Sequence, residues 1–341
     1  MGLDIRSLVT PRMIRLAELT GKVIAIDAYN TLYQFLSIIR GPTGELLTDS
    51  RGEVTSHLSG LFYRNANLMM ENIKVVYVFD GKASELKKSE IKHRSNLKKE
   101  AFQKYQAAIE EGRIEDARKY STRTAVLTDK MVEDSKELLS YLGIPTIDAP
   151  SEGESAASYL TKRDIAFAVG SQDYDSILFG AKKLVRNLTI SGKRKIPGRN
   201  TYIDIDPEIL EHDKVLTETG LTHEQLVDVG ILIGTDFNPS GFPGIGPKTA
   251  IKLIKQNGRL ENIERIEHQI NHVPYQEIRD IFLNPESPNL DNMEFGEVQH
   301  DTVLEFLCAK RNFSTDRVNT TLEKLQKSRT NRSQSLEQWF E

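Results

Sequence analysis

The feature that most narrows what this chain can fold into is a recurring pair: a short apolar run of strand character, closed by a carboxylate. Asp27 follows VIAI, Asp80 follows VVYVF, and Asp173 and Asp175 come just after IAFAV. Glu152 and Glu154 follow the Asp-Ala-Pro that ends another short apolar stretch, and Asp236 lies on a loop after VGILIG. Runs of four or five apolar residues, separated by helix-like stretches, predict an α/β fold with a mostly parallel sheet flanked by helices. In such sheets ligands bind at the carboxyl ends of the strands, so these acids are expected to converge on one cleft.

Carboxylates gathered in one place need cations. Two of them about 4 Å apart repel by about 1 kcal/mol even in water, and more in a cleft. Oxygen ligands without His or Cys select Mg²⁺ or Mn²⁺ over Zn²⁺. Two such ions about 4 Å apart suit phosphodiester hydrolysis, because they orient the phosphate, help ionise a water and stabilise the leaving oxygen. The alternative for any single acid after a strand is a helix N-cap, and for Asp27 alone that role is equally good. An aspartyl-nucleophile phosphatase would also use Asp27, but it wants an acid two residues on, where Tyr29 stands.

The net charge of −4 disfavours a uniformly basic nucleic-acid binder, yet charge is segregated along the chain. Lys87, Lys88, Lys92, Arg94, Lys98 and Lys99 face a single acid, Glu90, and the stretch from Lys182 to Arg199 has no acid at all. These runs read as polyanion-binding surfaces or as solvated faces. From Ser84 to about Met131 charge is dense and apolar residues are sparse, which predicts an exposed helical excursion. Lys87 and Arg94 are seven apart, two helical turns, so they share a face suited to holding a phosphate. Tyr33 is a candidate to stack on a base, or a core residue.

FPGIGPKTA, from Phe242 to Ala250, is a glycine-rich turn entering a helix. Gly244 and Gly246 permit a tight hairpin whose N–H groups approach a phosphate, Pro247 suits the first turn, and Lys248 and Thr249 stand beside it. This resembles a helix-hairpin-helix, which grips duplex backbone without reading bases; a bare glycine turn is the alternative. The single cysteine, Cys308, excludes intrachain disulfides and multi-thiolate zinc, and is expected in the core. No apolar run approaches membrane length and the first residues carry no signal-like core, so no membrane association and a cytoplasmic setting are expected. Arg6 stands where a myristoylation motif wants Ser or Thr.

Six blocks together carry a family likeness: VIAIDAYNTLYQFL, TSHLSGLFYR, VYVFDGKASELK, the acids of SEGES, SQDYDSILFG and IGTDFNPSGFPGIGPKTA. They closely resemble flap endonucleases, the archaeal type in particular, within the structure-specific 5′ nuclease superfamily. The resemblance implies a PIN-like central sheet, a helical arch over residues 81–130 and a helix-two-turn-helix (H2TH) duplex-binding module at 220–258. Residues 1–80 and 131–219 would form the two parts of the nuclease core, 259–326 a helical region packed on it, and 327–341 a flexible tail. On the family pattern Asp27, Asp80, Glu152, Glu154, Asp173, Asp175 and Asp236 match the metal-binding acids. Lys87 and Arg94 match the arch's basic catalytic positions, Tyr33 the stacking tyrosine, and Gly2 the N-terminal glycine near the DNA. Two Mg²⁺ ions are implied, with Mn²⁺ able to substitute. The implied activity is flap endonuclease and 5′–3′ exonuclease cleavage of branched DNA, in Okazaki-fragment maturation and base excision repair.

Leu336, Trp339 and Phe340 have the spacing of a sliding-clamp-binding box, an aliphatic residue followed by two aromatics, which fits an anchor-in-pocket peptide for a clamp (PCNA). The usual Gln three residues earlier is replaced by Ser333, and Ser155 stands where relatives commonly have Ala. The protein is expected to be a monomer. A non-catalytic junction binder tethered to the clamp is the competing expectation; it would use the same basic surfaces without needing all seven acids.

Overall fold

The computed structural model describes residues 5–190, 192–195, 201–291 and 293–340, with backbone only for 192–195, 202–204 and 332–340. Its centre is a seven-stranded sheet built from β1 (Arg12–Met13), β2 (Val23–Asp27), β3 (Lys74–Phe79), β4 (Thr146–Asp148), β5 (Ala168–Gly170), β6 (Lys183–Arg186) and β9 (Glu208–Glu211). β7 (Gly192–Lys195) and β8 (Tyr202–Ile205) form a separate antiparallel hairpin. The order across the sheet is β1-β9-β6-β5-β2-β3-β4, with β6 through β4 mutually parallel, β9 antiparallel to β6, and β1 at the edge antiparallel to β9. The chain leaves β2 in one direction, to β3 and β4, and later returns to lay β5 and β6 on the other side. That reversal between β2 and β5 is where an α/β sheet opens a crevice at its carboxyl edge.

The helices are α1 (Ala28–Ile38), α2 (Ser56–Met70), α3 (Lys88–Glu110), α4 (Ile114–Ser121), α5 (Asp129–Tyr141), α6 (Gly153–Lys162) and α7 (Asp175–Leu178). They continue with α8 (His212–Thr219), α9 (His223–Ile233), α10 (Pro247–Asn257), α11 (Glu267–Ile270), α12 (Tyr275–Leu283), α13 (His300–Leu304) and α14 (Thr315–Phe340). Strand residues alternate between two apolar cores, as sheets covered on both faces require. Ala25, Val76, Val78, Val169 and Leu184 pack with α6, α7, α9, α10 and α12, whereas Ile24, Ile26, Val75, Tyr77, Phe79 and Val185 pack with α1, α2, α5 and α14. The H2TH segment belongs to the first core through Phe242, Ile245, Ala250 and Ile254.

α3 and α4 form the expected excursion. α3 buries only Glu90, Ala101 and Ala108 along 23 residues and leaves Ile91, Leu97 and Phe102 about half exposed. Two details depart from the sequence expectation. The segment after 327 is helical in backbone through Phe340, continuous with α14, rather than an open tail; the side chains of Leu336, Trp339 and Phe340 lie outside the described residues, as does Gly2. The buried hydrophobic residues of α14, Val318, Leu322 and Leu325, lie on a helix that packs beside α2. Cys308 is half-buried, and burial pushes its thiol up, which keeps it protonated and unreactive.

One core group makes stability pH-dependent. His57 on α2 is fully buried, neither ring nitrogen has a hydrogen-bond partner, and burial followed by the Arg311 charge pushes it down to about 4. From about pH 6.5 down to about 4 the unfolded chain takes a proton that the folded chain refuses, so this contribution is complete above pH 6.5 and is lost as pH falls. His57→Leu should therefore reduce the stability lost between pH 7 and pH 5 by about 2 kcal/mol. Urea unfolding at the two pH values measures this; equal losses in wild type and variant would contradict it.

Candidate active site

The acids lie where the strands end. Asp27 is the last residue of β2 and the N-cap of α1, where its Oδ1 accepts the backbone N–H of Asn30 at 3.0 Å. It is thus a helix cap that also lies within electrostatic reach of Asp80 and Asp173. Asp80 follows β3 and its Oδ1 accepts the Gly153 N–H at 2.7 Å. A Cβ on residue 153 would stand 2.7 Å from that oxygen, so a glycine is what lets α6 begin this close to β3. Glu152 caps α6 and Glu154 sits in its first turn, while Asp173 lies on the bend after β5 and Asp175 opens α7.

The spacing of Asp173 and Asp175 suggests an extended segment with both carboxylates on one side, yet Tyr174 has right-handed helical backbone (φ −84°, ψ −5°). The bend falls in the four residues between β5 and α7. Asn30 holds the bend from one side: its Nδ2 donates to Asp173 Oδ2 at 2.8 Å, and its Oδ1 accepts the Gln172 N–H at 3.2 Å. Ser171 Oγ lies 3.4 Å from both Asp27 Oδ2 and Glu154 Oε1. Asn30, Ser171 and Gly153 escape a search for charged residues. The one signal for them is position, since each sits within three residues of a strand-end acid.

The seven acids form one electrostatic network. Burial, then the charge of Asp80, raises Asp27 well above the usual carboxylate range; burial, then Glu152, raises Asp80 to about 6. Burial, then Asp175, Asp27 and Asp173, raises Glu154, and burial, then Asp236, raises Asp173. Every acid singled out in the sequence is thus within electrostatic reach of another, and Asp236 joins through both Asp80 and Asp173.

The excursion closes on this network. Lys87 Nζ lies 2.5 Å from Glu152 Oε2, 3.7 Å from Asp236 Oδ2 and 4.8 Å from the centre of the Phe237 ring. Arg94 donates to Asp236 Oδ1 at 2.5 Å and to Glu90 Oε1 at 2.7 Å. Burial alone would depress the Lys87 ammonium, but Glu152 and Asp236 reverse this and hold it above its ordinary value; burial likewise opposes Arg94, and Asp236 and Glu90 raise it. Lys98 Nζ stands 4.2 Å from the centre of the Tyr33 ring, so that ring faces the basic helix and not the apolar core. Lys248 is exposed at the first turn of α10, whose N-cap is the exposed Gly246, and Gly244 has the positive φ (+74°) a tight turn needs. The structure therefore groups the seven acids with Lys87 and Arg94, and sets Gly244, Gly246, Lys248 and Thr249 on a separate turn.

The donor chemistry suits hard divalent cations: carboxylate oxygens, buried or half-buried, whose mutual repulsion is relieved in this chain by two arch cations. Among the described residues no three acidic, His or Cys side chains are drawn together as a closed ligand set.

Two family models match. The XPG N-terminal domain covers residues 4–101, and the XPG I-region covers 143–236, ending on Asp236 itself. The chain is 55% identical over 340 residues to the flap endonuclease 1 of Nitrosopumilus maritimus and 47% identical over 351 residues to that of Aeropyrum pernix, in each case across 100% of both proteins. The chain belongs to the flap endonuclease 1 family. Among solved structures, the flap endonuclease-1 of Methanococcus jannaschii superposes with a TM-score of 0.75 at 36% identity, covering 97% of this chain and 100% of that one. The catalytic core of Rad2 bound to a DNA substrate shares the fold at 23% identity and a TM-score of 0.70. As a structure-specific flap endonuclease, the chain is a hydrolase of DNA phosphodiesters, which is the chemistry a dense carboxylate site serves.

In this flap endonuclease Lys87 pairs with Glu152 and Asp236 and offsets part of the charge of the network. Lys87→Ala should destabilise the protein in chelator by on the order of 3 kcal/mol, because Glu152 and Asp236 lose a buried partner. Added Mn²⁺ should then raise the melting temperature of the variant more than that of the wild type. Equal shifts in differential scanning fluorimetry would refute this role.

Proposed function

We propose that this flap endonuclease binds branched DNA carrying a free 5′ strand and hydrolyses it at or just inside the junction. The observation that carries the reading is the single network of seven carboxylates at the switch point of the sheet, with Lys87 and Arg94 reaching into it. Asp27, Asp80, Glu152, Glu154, Asp173, Asp175 and Asp236 would hold two Mg²⁺ ions, with Mn²⁺ as a substitute, and the bound ions supply the Lewis acidity that activates water and stabilises the leaving oxygen.

The chain's own residues do the rest. Lys87 and Arg94 hold the scissile phosphate and stabilise the charge that develops on it. Tyr33 stacks on a base of the cut strand, giving up its contact with Lys98. The turn at Gly244 and Gly246, with Lys248 and Thr249, grips the duplex backbone, and Gly2 supports the DNA near the site. In this division of labour residues 81–130 are the arch and 220–258 the duplex grip. Contacts of this kind go to phosphates, so recognition is of shape and affinity falls as salt rises. Leu336, Trp339 and Phe340 dock a sliding clamp (PCNA). The enzyme acts as a monomer in Okazaki-fragment maturation and base excision repair, and it works in the cytoplasm on nucleoid DNA. No described helix is long and apolar enough to cross a membrane.

A labelled 5′-flap substrate in a gel assay tests the reading: cleavage should require Mg²⁺ and stop in chelator. Bound but intact DNA under Mg²⁺ would leave only a junction-binding role. Asp175→Asn should lower cleavage by about 10²–10³-fold or more while junction affinity stays within about threefold. Parallel loss of both would make Asp175 structural. Deleting residues 336–341 should weaken clamp binding at least tenfold and spare unstimulated cleavage, and an unchanged clamp affinity in surface plasmon resonance would refute the tail assignment.

A further inference from the structure

The bend between β5 and α7 carries Asp173 and Asp175, and something other than packing must fix it. A small recess beside the bend is lined by Asn30, Ser171, Gln172 and Thr189 among others. From the β2 side Asn30 holds the bend through Gln172 N–H and Asp173. The opposite side is held by a single guanidinium. Arg186, the last residue of β6 and only 8% exposed, donates through Nε to the Gln172 carbonyl at 3.0 Å and through a terminal nitrogen to the Tyr174 hydroxyl oxygen at 2.6 Å. Its guanidinium carbon also sits 4.3 Å from the centre of the Tyr174 ring, and its charge is balanced by Glu208, its directly opposed partner on β9.

Tyr174 stands between the two acids in sequence and is 4% exposed. Its ring enters the apolar core beside Ile177 and Leu178. It is a peg, and Arg186 is what clamps the peg to the sheet. A lysine could balance Glu208 but could not also span the Gln172 carbonyl and the tyrosine hydroxyl, because only guanidinium presents donors in a fixed planar fork.

We infer that Arg186 is a positioning residue for the nuclease reaction: acting through Tyr174 and Gln172, it sets where the Asp173 and Asp175 carboxylates stand. The inference rests on the metal-binding reading of those two acids. Groups that orient metal ligands typically govern metal affinity by 10–100-fold, roughly, without touching the metal. Arg186 does so by fixing the backbone of the ligand-bearing bend, and β6 and β9 serve as its anchor.

Isothermal titration with Mn²⁺, in the absence of DNA, tests this directly. Arg186→Lys should weaken Mn²⁺ binding about 10–100-fold. Its kcat on a 5′-flap substrate should drop at limiting Mn²⁺ and recover at high Mn²⁺, with KM for DNA within about twofold and the melting temperature in chelator little changed. A second variant, Arg186→Gln combined with Glu208→Gln, leaves no buried carboxylate unpaired and should show the same weakened Mn²⁺ binding if the single variant folds poorly. Tyr174→Phe keeps the ring and loses one acceptor, so its affinity should fall between wild type and Arg186→Lys. Mn²⁺ affinity equal to wild type in folded variants would overturn the positioning role while the metal reading stands. Absence of Mn²⁺ binding by the wild type would overturn the metal reading and this inference with it.

Discussion

Mutual repulsion among carboxylates at the carboxyl edge of the sheet is the constraint around which this molecule is arranged. A parallel sheet buried on both faces gives those acids a low-dielectric floor, which strengthens every charge interaction above it. Burial first, and the neighbouring carboxylates second, raise Asp80 to about 6 and displace Asp27, Glu154 and Asp173 upward. Several features of the surrounding structure offset the repulsion. Asn30 and Gly153 supply N–H donors, Ser171 lies between two acids, and α3 brings Lys87 and Arg94 down onto Glu152 and Asp236. The exposed, charge-rich character of the excursion follows from this task, since a helix that must reach over a cleft has little apolar core to join.

The parts of this plan that are legible in sequence are those written in local chemistry. Apolar runs closed by Asp27, Asp80, Asp173 and Asp175 announce strands and a site together, because burial forces the period and the strand end exposes the acid. The excursion is legible from missing Gly, Pro and apolar residues. The glycines around Phe242 and Ile245 announce a turn, since Gly244 takes a backbone angle that other residues rarely adopt.

What stayed hidden depends on residues meeting from far along the chain. Asn30 reaches Asp173 across 143 positions, and Arg186 and Glu208 find each other only because β6 and β9 run antiparallel. A charged residue at the end of the apolar run KKLVRNL was a sign of inward function that composition alone could not separate from a basic surface. The edge strand β1, with two exposed residues, carries no periodic signal at all. The bend at Tyr174 is hidden for the same reason: acid spacing describes an extended chain, whereas the contacts on the bend come from Asn30 and Arg186, far away in sequence.

The shared apolar core beneath the hairpin has a mechanical meaning. Phe242, Ile245, Ala250 and Ile254, which carry the turn at Gly244, pack in the same cluster as Ala25, Val76 and Val78, which lie on the strands ending at Asp27 and Asp80. The turn and the acid-bearing strands thus share one continuous apolar core. On the function proposed above, such a molecule would be a caliper, the span from duplex grip to cut being set by the packing of a core in which Ala250 is fully buried.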